Sequence, residues 1–402
     1  MLIPFLIFLA TYTVLAFGAV PIIRLDRTGA AIVGAIVMIV AGGVPLDEAY
    51  RAIDYRTLVL LFGMMVLVAN LRLALFFRVL AEVLARRVRH PAALLVAVVF
   101  ASGLLSALFV NDTICLVFTP VLIEVARARD QKPLPYLLAL ATASNIGSVA
   151  AITGNPQNML IGSLSGLSYP HFTATLAPVA LVGLLVVSAV LSVAFRHDLR
   201  TAAIPLDRVP VRPVHRALMV KGLLVAAGML AGFLAGLDPA LVASSGAAVL
   251  LVTRRVKPEK VYRQIDWGLL VLFVGLFIVI HGVERAHLDQ RFFDLLRPVG
   301  VQTVAGLSIV SAVLSNLVSN VPAVMLFTRL VPQLPHPDTA WLALAMSSTL
   351  AGNLTILGSI ANLIVVEGAA RHGVRVTFRD YLKVGVPITV LSLAFGIYWV
   401  GR

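Results

Sequence analysis

Charge is scarce in this sequence, cysteine is nearly absent, and no long hydrophilic stretch interrupts it. Of 402 residues, 13% are charged against 60% apolar, and the mean hydropathy is +0.98. So little polar surface excludes a soluble fold of this size. The single cysteine, Cys115, excludes an intramolecular disulfide and a cysteine-rich metal site. There is no HExxH, no Cys–His couple and no aspartate pair within two spans that could share a proton, so intramembrane enzyme chemistry lacks its reactive set. No filter-like loop recurs, which argues against a channel. Acidic residues are few, 19 against 32 basic, yet the net charge of +13 does not point to a nucleic-acid partner. In a membrane protein, Lys and Arg mark the loops that face the cytoplasm.

What is present is a series of apolar runs. A crossing needs about 20 apolar residues, and spans fall at 2–20, 29–43, 57–71, 133–163, 173–195, 218–235, 239–253, 267–283, 340–368 and 380–400. The first lacks a basic leader and a small-residue cleavage site, so it reads as a retained span. Two further stretches, 91–126 and 301–329, are long enough for two half-length arms each. The first is flanked by Arg86, Arg87 and Arg89 and by Arg127, Arg129 and Lys132, so both ends face the cytoplasm and the stretch is a re-entrant hairpin. Residues 74–89 read as an interfacial helix feeding it. With this orientation, 25 of the 32 Lys and Arg lie in cytoplasmic loops. Both chain ends then lie on the far side with Arg51, Arg56, Arg285, Arg291, Arg297, Arg329 and Arg402.

Internal repetition is the strongest signal. AIDYRTLVLLFGMMVLV (52–68) matches QIDWGLLVLFVGLFIVI (264–280), pairing Asp54 with Asp266. SGLLSALFVNDTICLVFT (102–119) matches SAVLSNLVSNVPAVMLFT (311–328), pairing Ser106 with Ser315 and Asn111 with Asn320. LATASNIGSVAAITGNPQN (140–158) matches LAMSSTLAGNLTILGSIAN (344–362), pairing Ser144 with Ser348, Gly154 with Gly358 and Asn158 with Asn362. Each copy carries an odd number of crossings, so the second is inverted relative to the first, the mark of secondary transporters. The expected fold is an all-α polytopic membrane protein with about ten transmembrane helices, two re-entrant hairpins and two broken helices. The first repeat covers 1–196, a cytoplasmic linker 197–217, and the second repeat 218–402.

Polar residues interrupt these runs at matched places. Thr153-Gly154-Asn155-Pro156 breaks one helix: Gly154 supplies backbone freedom, Asn155 can cap, and Pro156 suits a first turn. Leu357-Gly358-Ser359 repeats the design with Ser359 as cap. Asn111 opens the returning arm of the first hairpin and Asn320 that of the second. Irregular backbone at membrane depth survives only inside protein or beside a water-filled cavity. Four helix N-termini can therefore converge on one polar site that favours an anion or polarised oxygen ligand, while freed carbonyls can hold Na+ or a proton.

The strings NDTICLVFTP (111–120), GNPQN (154–158) and GSIANLIVVE (358–367) make the chain similar to the ion transporter superfamily, in the branch holding arsenite pumps and citrate transporters. In the related sodium/dicarboxylate symporters each hairpin tip carries Ser-Asn-Thr, which binds substrate carboxylate and sodium with the broken-helix loops. Here the tips read Val110-Asn111-Asp112 and Ser319-Asn320-Val321, so only the asparagines match in both copies. The resemblance implies that Asn111 and Asn320 are site residues and that the protein moves by an elevator-like or rocking step.

The site expected from these residues comprises Asn111, Asp112, Thr113, Ser319, Asn320, Gly154, Asn155, Asn158, Gly358, Ser359 and Asn362, with Na+ conceivable at Asn111, Gly154, Asn320 and Gly358. The same asparagines and serine could be plain helix caps, but mid-membrane caps are needed only where helices are broken. Asp112 is expensive at half depth and is the candidate coupling proton site, though it could also be an N-terminal acid on a helix dipole. Asp54 and Asp266 read as interfacial caps, Glu367 with Arg371 and Glu124 with Arg127 as surface pairs, and Cys115 as a small buried hydrophobe. A thiol one turn beyond Asp112 would also suit trivalent arsenic.

Loss of both threonine hydroxyls removes two donors from a dicarboxylate site, and Asp112 adds a negative charge. Unit charges at about 4 Å repel by about 4 kcal/mol at an effective dielectric near 20, which cancels millimolar binding worth about 4.1 kcal/mol. The expectation is therefore proton-coupled export of a small inorganic oxyanion or its neutral acid, of the arsenite or antimonite type. The alternatives are a Na+- or H+-coupled di- or tricarboxylate transporter and a Na+/H+ antiporter. The setting is a bacterial-type inner membrane. No cofactor is expected; the partners are the small anion, H+ or Na+, the lipid bilayer and a possible second copy in a homodimer.

Overall fold

The computed structural model describes residues 2–20, 25–200, 215–254 and 256–402; the central part of the expected linker, 201–214, lies outside the described residues. Among the described residues, ten α-helices precede the linker and ten follow it, in one order. The first ten are α1 (Leu2–Phe17), α2 (Arg27–Val40), α3 (Leu46–Ala52), α4 (Tyr55–Leu73), α5 (Phe76–Arg87), α6 (Pro91–Leu108), α7 (Asn111–Ala128), α8 (Leu134–Ser148), α9 (Pro156–Ser165) and α10 (Tyr169–Ala194). Their counterparts are α11 (Arg216–Leu234), α12 (Pro239–Leu251), α13 (Pro258–Tyr262), α14 (Trp267–Arg285), α15 (Leu288–Leu296), α16 (Val304–Val318), α17 (Asn320–Phe327), α18 (Pro337–Leu350), α19 (Ile360–Arg371) and α20 (Phe378–Val400). A two-residue antiparallel pair, Ala19–Val20 with Leu25–Asp26, is the only strand pairing among the described residues.

Among the described residues, six helices are long and apolar enough to cross a membrane: α4, α6, α10, α11, α14 and α20. Four shorter apolar ones, α1, α2, α12 and α16, accompany them. The fourteen residues of α2 reach only about 21 Å at ~1.5 Å per residue, and its counterpart α12 is as short. The expected spans 29–43 and 239–253 anticipate both as short elements.

The repeats interlock. Helix α4 packs on α12 and α14 packs on α2, so each copy lends one long helix to the other's short one. Glycine sets the distance at both crossings. A Cβ on Gly63 would lie 2.6 Å from the carbonyl carbon and oxygen of Ala243, and a Cβ on Gly275 would lie 2.6 Å from those of Ala31. Gly63 and Gly275 are matched residues of the repeat, and so are Ala31 and Ala243 by the same spacing. Small residues that bring backbones together supply the packing that lipid itself does not drive.

Both hairpins are real turns back. Arg129 at the end of α7 donates to Val88 O just before α6 at 2.8 Å, so the two arms enter and leave together. Each arm of this first hairpin is eighteen residues, about 27 Å at ~1.5 Å per residue, and not the half-length expected. The second hairpin is shorter, with arms of fifteen and eight residues. Helix α6 lies against α8 so closely that a Cβ on Gly147 would meet the Gly103 carbonyl oxygen at 2.0 Å. Hairpin and broken helix are thus one packed unit.

Ion pairs between elements respect the two-sided sorting of the charges. Lys132 pairs with Asp198 and Arg78 with Glu124 on one side; Arg56 with Asp238, Arg285 with Glu48 and Arg329 with Glu284 lie on the other. The Leu241 N–H and then Arg56 hold the Asp238 carboxyl, which caps α12, below the usual carboxylate range. Glu367 and Arg371 form the exposed pair expected, at 4.0 Å. Glu124 does not pair with Arg127, however. Arg78 of the interfacial helix α5 reaches it at 3.1 Å, while Arg127 donates to His372 O, because α5 and α19 flank α7 on its two sides.

Candidate functional site

The two broken helices meet where the repeats face each other. Each break is a short 3-10 turn, Ile152–Gly154 in one copy and Ile356–Gly358 in the other. Asn155 caps α9 by accepting from Asn158 N at 2.8 Å, and Ser359 caps α19 by accepting from Ala361 N at 3.2 Å. The freed carbonyls are satisfied identically. Asn158 Nδ2 donates to Ser148 O (3.0 Å) and Ala151 O (3.1 Å), and Asn362 Nδ2 donates to the matched Gly352 O (2.7 Å) and Thr355 O (3.1 Å). Such internal pairing is what lets a helix open at membrane depth.

Gly154 and Gly358 have ordinary negative φ, so backbone freedom is not their purpose. Space is: a Cβ on Gly154 would lie 2.3 Å from Ser148 O, and one on Gly358 2.7 Å from Asn316 Oδ1. Asp54 and Asp266 are caps as expected, accepting from Arg56 N and Leu269 N at 3.0 and 2.9 Å. Asp54 also accepts from Ser163 Oγ of α9 at 2.7 Å, tying the mouth of α4 to the broken helix.

Many of the side-chain bonds that join the two breaks run through two residues absent from the expected site, Asn145 and Thr349. Asn145 Nδ2 donates to Asn353 Oδ1 (2.9 Å) and Asn362 Oδ1 (3.0 Å), while its Oδ1 accepts from Asn111 Nδ2 (3.1 Å) and Ser359 Oγ (3.0 Å). Thr349, its match in the second copy, accepts from Asn155 Nδ2 and Gln157 Nε2, both at 3.2 Å, and contacts Asn158 Oδ1 at 3.5 Å. Each hub therefore reads the opposite repeat's break. The signal was available, since the matched strings pair Asn145 with Thr349, both polar within an apolar run.

The hairpin tips join from either side. Neither tip asparagine is a cap: the Ncap positions are Val110 and Ser319, with no side-chain cap bond. Asn111 is buried and spends its amide on Asn145. Asn320, oriented to meet its neighbours, donates to Ser348 O (3.2 Å) and Gly358 O (3.3 Å) and accepts from Gln157 Nε2 (3.2 Å). Ser319 holds φ of 76°, a left-handed value that costs a non-glycine residue of order 1–3 kcal/mol. Some buried oxygens stay unpartnered, among them Asn111 Oδ1, Ser106 Oγ and Ser315 Oγ, the two serines being matched residues of the hairpins.

Asp112 and Thr113 do not join this cluster. They are half-buried and line a cavity of about 160 Å³ with Met65, Arg72, Asp266 and Ile360, between the first tip and the facing ends of α4 and α14. The Asp112 carboxylate has no hydrogen bond or ion pair among the described residues, and Val321 stands at its matched position. Cys115 turns the other way. Its Sγ lies 3.0 Å from Ser144 Oγ in a fully buried contact, away from the Asp112 cavity. The centre thus consists of amides and hydroxyls without a charged side chain, and the charged groups, Asp112, Asp266 and Arg72, line the cavity beside it.

The whole chain resembles the crystal structure of the YdaH transporter of Alcanivorax borkumensis, with a TM-score of 0.59 over 100% of this chain and 96% of that one at 17% identity, a likeness of fold. Among curated relatives, the silicon efflux transporter LSI3 of Oryza sativa subsp. japonica is 32% identical over 96% of this chain and 94% of its own. A Dictyostelium discoideum protein named as a transporter, arsB, is 24% identical over 93% and 87%. The citrate transporter family matches residues 12–344. With two interlocked inverted repeats, two hairpins and two broken helices, the chain belongs to the citrate transporter family and is a multi-pass secondary transporter, not an enzyme.

Proposed function

We propose that the protein exports a small inorganic acid of the arsenite or antimonite type, as the neutral hydroxylated molecule or its singly charged oxyanion, in exchange for protons. One observation carries the reading: the centre shared by the repeats holds Asn111, Asn145, Asn155, Asn158, Asn320, Thr349, Ser359 and Asn362, with no Lys, Arg or His among them to neutralise a di- or tricarboxylate. Amides and hydroxyls exchange hydrogen bonds with a polyhydroxylated neutral solute at little desolvation cost, whereas a buried dianion needs paired charge. The named activity of the rice relative, silicon efflux, is consistent with cargo of this chemistry. Asp112 is the coupling group in this scheme. Protonated, it lets solute leave the tip; deprotonated, it resets the cavity.

A second reading, cation-coupled carboxylate transport, draws on the family's description and on the unpartnered oxygens of Ser106, Ser315 and Asn111, which suit Na+. One experiment separates the two. In inverted vesicles, arsenite, antimonite and silicic acid are offered under an imposed pH gradient, and citrate under a sodium gradient, for wild type and Asp112→Asn. The expected result is pH-driven accumulation of an inorganic acid that the variant loses while keeping counterflow exchange at zero gradient. Gradient-driven accumulation that survives in the variant removes Asp112 from coupling. Sodium-dependent citrate uptake with no inorganic flux establishes the second reading.

A further inference from the structure

We propose that the cavity between α1, α14, α15 and α17 binds an anionic phospholipid, with one acyl chain inside and its phosphate at Arg291 and Arg329. The cavity measures about 490 Å³, several times the space beside Asp112, and its walls are Leu2, Phe5, Phe8, Ile280, Phe292 and Met325 with their neighbours. Leu2 and Leu295 at its edge are 69% and 73% exposed. Surfaces this apolar belong in hydrocarbon, and a recess opening sideways into a bilayer fills with lipid chain.

Charge decides which lipid. Arg291 and Arg329 line the same recess as Glu284. Arg329 is paired with Glu284 at 2.6 Å, and Glu284 also faces His281 at 3.3 Å. Arg291 takes part in no ion pair among the described residues. Basic residues are sparse on this side, yet Arg285, Arg291, Arg297 and Arg329 gather at this end of the molecule. Orientation of the chain does not require them there, since that bias favours the opposite face. A cationic rim above an apolar recess matches a phosphate above an acyl chain.

The amphipathic helix α15, between α14 and the second hairpin, carries Arg291 of the rim. It places Phe292 against Phe327 at a ring separation of 6.3 Å. The floor is shared by Met325 and Leu326 of the returning arm α17 and by Ile280 and Val283 of α14. Lipid in this recess therefore touches both the hairpin and the helix it leans on, so its binding strengthens or loosens their contact.

The test is native mass spectrometry of the full chain in mild detergent, titrated with phosphatidylglycerol and with diacylglycerol of the same acyl chains. Wild type is expected to retain phosphatidylglycerol over diacylglycerol. Arg291→Gln is expected to lower that retention about fivefold, the weight of one arginine beside an anionic lipid surface, whereas Arg51→Gln on the same side leaves it unchanged. Phe5→Ala should lower retention of both lipids. Unchanged phosphatidylglycerol retention in Arg291→Gln, or diacylglycerol held as well as phosphatidylglycerol, overturns the proposal. So does a dimer that excludes lipid and is broken by Phe5→Ala, since a second copy would then cover this surface.

Discussion

Asn145→Ala is expected to stop transport and to destabilise the protein by about 3 kcal/mol or more. Four partners on three other segments, Asn111, Asn353, Ser359 and Asn362, lose a bond at once. Each buried amide or hydroxyl left unsatisfied costs about 1–3 kcal/mol, although neighbours in one network share the loss. Thr349→Val removes the matched hub and should act alike, through Asn155 and Gln157. The check is flux in liposomes alongside thermal melting. Because Asn111 and Asn145 bond directly, the double variant with Asn111→Ala should melt higher than additivity requires. Wild-type flux in Asn145→Ala would show that the cross-repeat network is packing and not part of the transport path.

The second large effect is expected at the glycine crossings. In an open helix, Gly→Ala stabilises by up to about 1 kcal/mol. At Gly63 and Gly275 the added carbon would lie 2.6 Å from backbone that belongs to the other repeat and cannot rotate away. Overpacking of this kind costs about 1–3 kcal/mol and outweighs the gain in propensity. Both variants should therefore melt below wild type, and by similar amounts, because the two crossings are related by the repeat. Gly228 in α11 is the control, since a Cβ there meets nothing within 4 Å, and Gly228→Ala should melt at or above wild type. A Gly63→Ala protein as stable as wild type would mean that α4 and α12 slide apart freely.

Much of the architecture was legible in the sequence for reasons of solvent. Lipid forces every backbone group to pair internally, so apolar length, basic flanks and polar interruptions translate directly into spans, hairpins and breaks. Matched strings then gave the inversion. Helix length was less legible at the first hairpin, whose arms exceed half length because the neighbours packed around them fill the membrane. Glu124 pairs with Arg78 of α5 instead of Arg127 one turn away, since a helix surface offers several partners and packing chooses among them.

By itself, the sequence determined the class of molecule, its two inverted halves and many of the polar residues at the tips and breaks, though not the hubs Asn145 and Thr349. Tertiary structure alone decided how those residues are divided. Asn111 turns inward to Asn145, while Asp112, the next residue, turns to a cavity, because successive positions on a helix point about 100° apart and only packing fixes which direction faces the opposite repeat. It also decided that Gly154 and Gly358 serve close approach, a requirement set by atoms across the break and invisible to local conformation.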